Sequence, residues 1–303
     1  MKLVTLSDIH GDLETLDKAM PIIKSLKPDV TFINGDLIGE VFNGEQREKY
    51  LKVSELIRNV ALELSNATEG KINSIHSAAE VISQGKVNLE NPMIKTFAES
   101  YLRFEESASS EAKRQYSELK KRFDDLGNVL LVPGNWDVKS IDDIFAKENL
   151  HMKVKEVNGI KIAGYGGVRL LPKAIPVDLS FSNNYDEDEA FAFLSKTEAE
   201  IALLHNPPRF FEGENAGFPG SHSLLAYLYQ SSPSLILTGH THNLLITQEP
   251  QTKTTLINPG LFGRYNGLSY GTFIEVDIDD NLFVKPRTIY RIDGARVTSR
   301  DLS

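Results

Sequence analysis

The chain contains no cysteine. Disulfide bonds and thiolate metal sites are therefore excluded, and any metal ion must be held by His, Asp, Glu or Asn. The absence also fits a reducing compartment. No stretch approaches the roughly 20 apolar residues needed to span a bilayer. The first residues, Met1-Lys2-Leu3-Val4-Thr5-Leu6-Ser7-Asp8, lack the apolar core of a signal peptide. A cytoplasmic protein with no membrane partner is expected. Basic charge is in deficit: 33 Lys and Arg against 42 Asp and Glu leave a formal net charge of −9. A field of that sign repels nucleic acid and anionic lipid. Repeats and low-complexity segments are also missing. Tryptophan occurs once, at position 136.

The pattern that is present belongs to an α/β protein. Lys2 to Leu6 is a short apolar run ended by Ser7-Asp8, which predicts a buried strand. Apolar residues at 13, 16, 20, 23 and 26 make one helical face. Val30 to Ile33 is a second strand, ended by Gly35-Asp36, so the start of the chain is a parallel βαβ unit. The α/β pattern resumes at Val129 to Val132. Lys153 to Val157 and Ile160 to Ala163 flank Asn158-Gly159, a strong two-residue hairpin signal. Further strands are expected at Ile201 to Leu204, Leu235 to Leu237, Leu244 to Thr247, Thr255 to Ile257 and Thr272 to Val276, with helices at 187–195 and 221–230. The late strands are short and joined by turns. That predicts a second, mostly antiparallel sheet packed on the first, hence two packed mixed β-sheets flanked by helices.

Residues 40–127 differ in character. Helical stripes recur at Val53, Leu56, Val60 and Leu64; at Ile72, Ile75, Ala79 and Ile82; at Ile94, Phe97, Tyr101 and Phe104; and at Ala112, Tyr116, Leu119, Phe123 and Leu126. Gly70, Gly85 and Asn91-Pro92 break the runs. About four helices are expected, inserted between core segments 1–39 and 128–303 and packing on their own faces, as a cap over a site or as a homo-oligomer contact. With 13 Lys/Arg against 15 Asp/Glu, the segment is no basic arm for clamping a nucleic acid.

Five clusters carry chemistry: Asp8-Ile9-His10, Gly35-Asp36, Gly134-Asn135, His205 and Gly239-His240-Thr241-His242. Each follows directly on a predicted strand. In open α/β sheets, side chains just beyond the carboxyl ends of strands converge on one crevice. An Asp-x-His at a strand end is commonly a turn or cap, and a lone buried His is usually just hydrogen-bonded. The five together deliver seven nitrogen and oxygen donors. That is too many for one tetrahedral ion and suits two divalent ions sharing a carboxylate.

The order Asp-x-His, Gly-Asp, Gly-Asn-x-Asp, His, Gly-His-x-His resembles the calcineurin-like metallophosphoesterases. The resemblance covers residues 1–38 and about 128–277. It extends to Ser7-Asp8-Ile9-His10-Gly11-Asp12, His205-Asn206-Pro207-Pro208 and Asn258-Pro259-Gly260, which are similar to the compact bacterial and archaeal phosphodiesterase-like members. The resemblance implies that Asp8, His10 and His242 hold one ion, that Asn135, His205 and His240 hold the other, and that Asp36 bridges them. It implies manganese, iron or zinc, and a shared hydroxide that attacks phosphorus in line. Asp36, Asn135 and His205 would act in catalysis through that pair. The expected function is hydrolysis of a small phosphate ester, most simply a phosphodiester. A phosphomonoesterase or nuclease of the same family is the alternative. A non-catalytic interaction module, as in a retromer subunit of this fold, is the alternative of another class; that subunit departs from the ligand set, and this chain keeps it.

Trp136 departs from the pattern. Many family members have there a histidine that helps the leaving group depart. An indole only donates and keeps its proton at neutral pH, so that acid is missing. Asp137 would then act as a cap or as a support to the ligands. Other candidates to face a phosphate are weaker. Ser221-His222 has the form of a helix start, His76 that of a half-buried helix residue, and His151 that of a surface residue. Arg169 follows a glycine-rich turn and offers a bidentate fork. Glu187-Asp188-Glu189 suits the first turn of a helix.

Overall fold

The structure is a computed structural model that describes residues 1–87, 91–169, 175–209, 211, 220–265 and 268–302. The opening unit forms as expected: β1 (Lys2–Leu6), α1 (Leu13–Leu26) and β2 (Val30–Ile33), with β1 and β2 parallel and Leu3 level with Val30. Asp12 starts α1 by accepting hydrogen bonds from the Glu14 and Thr15 amides, the usual cap for orphan N–H groups. β3 (Val129–Leu131) adds parallel to β2. β4 (Lys153–Val157) and β5 (Ile160–Tyr165) make the predicted hairpin, with Asn158 and Gly159 both at positive φ, as a type I′ turn demands.

The remaining strands are β6 (Ile201–Leu204), β7 (Leu235–Leu237), β8 (Leu244–Gln248), β9 (Thr255–Pro259), β10 (Phe262–Tyr265), β11 (Leu268–Ile278), β12 (Val284–Asp293) and β13 (Arg296–Asp301). One sheet has the order β13-β12-β11-β1-β2-β3, with β10 paired to β11; the other has the order β4-β5-β6-β7-β9-β8. The second sheet is not mostly antiparallel. β5, β6, β7 and β9 run parallel, and the antiparallel strands β11 to β13 extend the first sheet instead. The reason lies in the strands themselves. Ile201–Leu204 and Leu235–Leu237 are buried at every residue, the mark of a parallel strand covered on both faces.

The sheets pack face to face through Leu3, Val30, Phe32 and Leu130 on one side and Ile162, Leu203, Leu237 and Ile257 on the other. Alternation along the strands sends Val4, Leu6, Ile33 and Leu131 to the outer face of the first sheet, against α1. The outer face of the second carries α6 (Glu187–Leu194) and α7 (His222–Ser231).

Among the described residues, the segment between β2 and β3 holds three α-helices, not four: α2 (Gly44–Ala67), α3 (Ile75–Ser83) and α4 (Met93–Phe123). The stripes at 94–104 and 112–123 are one helix of 31 residues, about 46 Å long, because no Gly or Pro interrupts it, and Leu126 follows in a 3-10 turn. Its C-terminal half lies on the main core. Tyr116, Leu119 and Phe123 are buried in one cluster with Val4, Ile33, Leu131 and Phe145, the last from α5 (Ile141–Phe145).

A candidate metal centre at the strand ends

The five ligand-bearing segments leave the carboxyl ends of β1, β2, β3, β6 and β7. Three of these strands belong to one sheet and two to the other, so the donors meet where the sheets' ends face each other. Asp8, His10, Asp36 and His242 form one group of donor atoms, and Asp36, His205 and His240 a second, with the donors of each group within 4.8 Å of one another. Asp36 is common to both. Its Oδ2 stands 3.9 Å from His10 Nε2 and 3.5 Å from His205 Nε2. His10 and His242 bring their Nε2 atoms to 3.0 Å, and His242 Nε2 is 3.3 Å from Asp8 Oδ1. Asn135 joins the second group: its Oδ1 is 3.1 Å from His205 Nε2 and 2.9 Å from His240 Nδ1.

These spacings fit cations. Around a tetrahedral ion with bonds near 2.1 Å, neighbouring donors stand about 3.4 Å apart, which lies within the range seen. The donor set of imidazoles, carboxylates and one amide oxygen suits zinc, manganese or iron. The backbone is shaped to deliver it. Asp8, His10, Asp36, His240 and His242 all take positive φ, between 48° and 70°. Non-glycine residues rarely do so, and such strain gathers at functional sites.

Neighbours orient the ligands. The Asn34 carbonyl lies 2.6 Å from His205 Nδ1. A carbonyl only accepts, so Nδ1 carries a proton and Nε2 is the nitrogen that faces Asp36 and would ligate an ion. Asn34 Nδ2 donates to the Thr238 carbonyl, and Asn258 Nδ2 donates to the Gly239 carbonyl and to Thr241. Both amides pin the loop of His240 and His242. The Ser7 hydroxyl donates to Asp8 Oδ2, and the His240 amide donates to the same carboxylate. Gly134 passes so close to Asp36 that a Cβ there would overlap the carboxylate. Of these supports Ser7, Gly134 and Asn258 stand in the motifs that carry the resemblance. Asn34 gives no sequence signal beyond standing next to a strand end.

Charge in the cluster is strongly perturbed. Burial pushes the Asp36 carboxyl up, but the His205 charge and hydrogen bond outweigh it and hold the group well below the usual carboxylate range. Burial likewise opposes ionisation of Asp8, and the His242 hydrogen bond and the His205 charge overcome it. Burial works against a charged His205 too, but Asp36 drives its imidazole up to about 9. Burial and the His205 charge bring His240 down to about 4. Carboxylates that stay ionised among imidazoles are suited to divalent cations.

Trp136 flanks the first group. Its amide donates to Asp36 Oδ1 at 2.7 Å, and its ring meets His10 edge-on, centroids 5.6 Å apart. Asp137 is buried and stitches turns: it accepts from the Gly134 amide at 2.7 Å, the Leu37 amide at 3.2 Å and the Tyr116 hydroxyl at 3.0 Å. Burial and the Asp36 charge push it up to about 6. A cavity of about 220 Å³ on the other flank of His10 is walled by Gly11, Gly39, Glu40, Arg114 and Gln115, so α4 borders the site.

The other candidates stay apart from these groups. His222 is exposed at the start of α7, where Ser221 caps the helix, and its Nε2 touches Arg209. His76 pairs with Glu105 inside the helical segment. Arg169 is exposed. Glu187, Asp188 and Glu189 form the first turn of α6. His151 is not a surface residue. Its ring packs between Tyr165 and Phe181, and Nδ1 accepts the Gly166 amide at 3.0 Å. The turn before β4 folds it inward, which local sequence does not reveal.

Two packed sheets with an Asp- and His-rich crevice at their carboxyl ends define a metal-dependent hydrolase architecture. The chain belongs to the calcineurin-like phosphoesterases: the superfamily domain matches residues 111–281. Members bind divalent metals and cleave phosphoesters. The match includes Asn135, His205, His240 and His242 but begins after Asp8, His10 and Asp36, which the fold supplies. No curated protein matches the chain in sequence. A solved crystal structure 12% identical aligns over 100% of this chain and 99% of its own with a TM-score of 0.55, which shows the shared fold. Also similar are TT1561 of Thermus thermophilus (13% identity, 100% and 99% coverage, TM-score 0.49) and zinc-complexed Vps29 of Entamoeba histolytica (13%, 100% and 100%, 0.41).

Proposed function

We propose that this protein is a dinuclear, metal-dependent phosphodiesterase acting on small phosphate esters. The observation that carries the reading is the place of Asp36, whose carboxylate stands between a histidine of each donor group. Asp8, His10 and His242 hold one divalent ion, Asn135, His205 and His240 the other, and Asp36 is shared. When bound, the ions supply Lewis acidity and lower the pKa of the attacking water. The protein's own part is orientation. Asn34 fixes the His205 tautomer, Asp137 holds the Gly134 turn so that Asn135 faces the site, and Trp136 fixes Asp36 through its amide.

The diester reading rests on Trp136. The indole beside His10 brings neither charge nor an acid, and a diester monoanion needs less neutralisation than a monoester dianion. The overall charge of −9 disfavours a nuclease. We take residues 40–127 as an insertion into core 1–39 and 128–303 that borders the site through α4, and the chain as a cytoplasmic enzyme. The test is hydrolysis of bis(p-nitrophenyl) phosphate and p-nitrophenyl phosphate by protein stripped and reloaded with manganese, iron or zinc. Faster turnover of the diester is expected. A clear preference for the monoester would replace the reading with phosphomonoesterase, and no turnover of either would favour an interaction module.

A further inference from the structure

Beside His242 the sheets part. β12 and β13 extend the first sheet past β8, the edge of the second. Cross-strand partners share a face of a sheet. Ile289 is level with Ile274 and Arg300, and Arg291 is level with Thr272 and Thr298. Ile274 and Ile289 belong to the core between the sheets, so Arg291 and Arg300 point to that same inner side, toward Leu244 at the start of β8. The result is a pocket of about 230 Å³ that includes His242, Leu244, Tyr270, Arg291, Thr298 and Arg300. His242 is its link to the metal centre, with its side chain 44% accessible.

The pocket has the chemistry of an anion site with an apolar wall. Arg291 lies over the Tyr270 ring at 5.1 Å, which preorganises its guanidinium. Among the described residues, neither Arg291 nor Arg300 has a carboxylate within ion-pair distance, although the chain carries an excess of acidic residues. Pockets that enclose a whole ligand measure roughly 300–1,000 Å³. This one is smaller and opens on a proposed metal ligand, so it suits part of a substrate. The hairpin that builds it follows residue 281, where the family match ends.

We propose that this pocket is the subsite for the non-reacting part of the substrate, and that Arg291 and Arg300 select phosphodiesters bearing a second anionic group, phosphoryl or carboxyl. The proposal rests on the phosphodiesterase reading above for its link to turnover. Thr298 adds a hydroxyl donor, and Leu244 and Tyr270 receive the apolar segment joining the two anions. A charge-assisted hydrogen bond is of the size that shifts binding about tenfold or more.

Two measurements test it. The first compares phenyl p-nitrophenyl phosphate with analogues bearing a carboxylate or a phosphonate on the phenyl ring, using the manganese-loaded protein and the variants Arg291→Ala and Arg300→Ala. A KM about tenfold lower for a charged analogue is expected, lost in both variants, with kcat/KM for the uncharged diester within about twofold of the parent. The two charged analogues distinguish phosphoryl from carboxyl recognition. The second is calorimetric titration of phenylphosphonate into metal-free protein, where each variant should weaken binding about tenfold. No preference in the parent protein, or variants that slow all diesters equally, would overturn the subsite, as would phosphonate binding indifferent to both arginines. Phosphonate binding that needs the arginines in a protein that hydrolyses nothing would uphold the pocket and reject the phosphodiesterase.

Discussion

The Tyr116 hydroxyl donates to Asp137 Oδ1 across 3.0 Å and accepts the Val138 amide at 2.9 Å. All three groups are buried. Through this relay α4, in the segment between β2 and β3, holds the turn that presents Asn135. Tyr116→Phe deletes one hydroxyl and leaves two buried polar groups short of a partner, at a cost of about 1–3 kcal/mol. Because the turn positions Asn135, metal affinity should fall as well, by about 10–100-fold as for other groups that orient ligands. Tyr101→Phe on the same helix is the control. Its hydroxyl reaches Asp178 rather than the turn, so it should lose stability and keep metal affinity. Urea denaturation and metal titration of both variants check this.

Excising residues 45–124 behind a short linker should fail to give a soluble core. Sequence periodicity suggests a segment that packs on itself. In the structure, Tyr116, Leu119 and Phe123 share one apolar cluster with β1, β2 and β3. Each such side chain contributes about 1.5–3 kcal/mol by burial. Losing the three would remove about 5–9 kcal/mol, comparable to the whole stability of a domain at about 5–15 kcal/mol. Recovery of a folded, monomeric product by size exclusion and circular dichroism would contradict this.

Trp136 bears on the chemistry through its neighbour. Its ring meets His10 edge-on at 5.6 Å, so a side chain at this position borders the proposed site. Without a proton donor there, rates across a series of aryl phosphodiesters should depend steeply on leaving-group pKa. Trp136→His should flatten that dependence, since general acid catalysis is worth about 10²–10⁴-fold and matters most for poor leaving groups. A flat dependence in the parent protein would mean that another acid already serves.

Stability should fall in mild acid through His151. Burial depresses its pKa from 6.5 to about 4, with Asp142 and Glu189 opposing the shift and Lys153 reinforcing it. The unfolded chain takes up a proton near pH 6.5 that the folded protein refuses until about pH 4. The stabilisation from this site is thus complete above pH 6.5, declines as pH falls, and is lost below about 4, a difference of about 3 kcal/mol. His151→Asn keeps an acceptor for the Gly166 amide and cannot be protonated. Urea midpoints between pH 7 and 4 should fall less steeply in that variant.

The parts of this molecule legible in its sequence are those set by local chemistry. α1 spans the residues that its apolar periodicity marks, and the hairpin turns at Asn158-Gly159. The donor residues stand out because each cluster follows an apolar strand, and Gly35, Gly134 and Gly239 permit the tight turns before Asp36, Asn135 and His240. Beyond the β1–β2 pair and that hairpin, strand partnership was not legible. Nothing local tells Leu235–Leu237 to pair in parallel with β9 while β8 takes the edge. β12 and β13 escaped notice because polar and charged residues fill much of Val284–Asp293 and Arg296–Asp301, as exposed strands allow. The arginine pocket depends on those strands and so was hidden with them.

The central claim is that seven side chains on five strand ends hold two ions across Asp36. Its most direct measurement is the manganese content of protein stripped, reloaded and desalted, determined by elemental analysis beside Asp36→Asn. The account predicts close to two ions per chain in the parent, and a loss of metal in the variant together with the thermal stabilisation that metal confers. One ion or none in the parent, or an Asp36→Asn protein that still retains two, would contradict it.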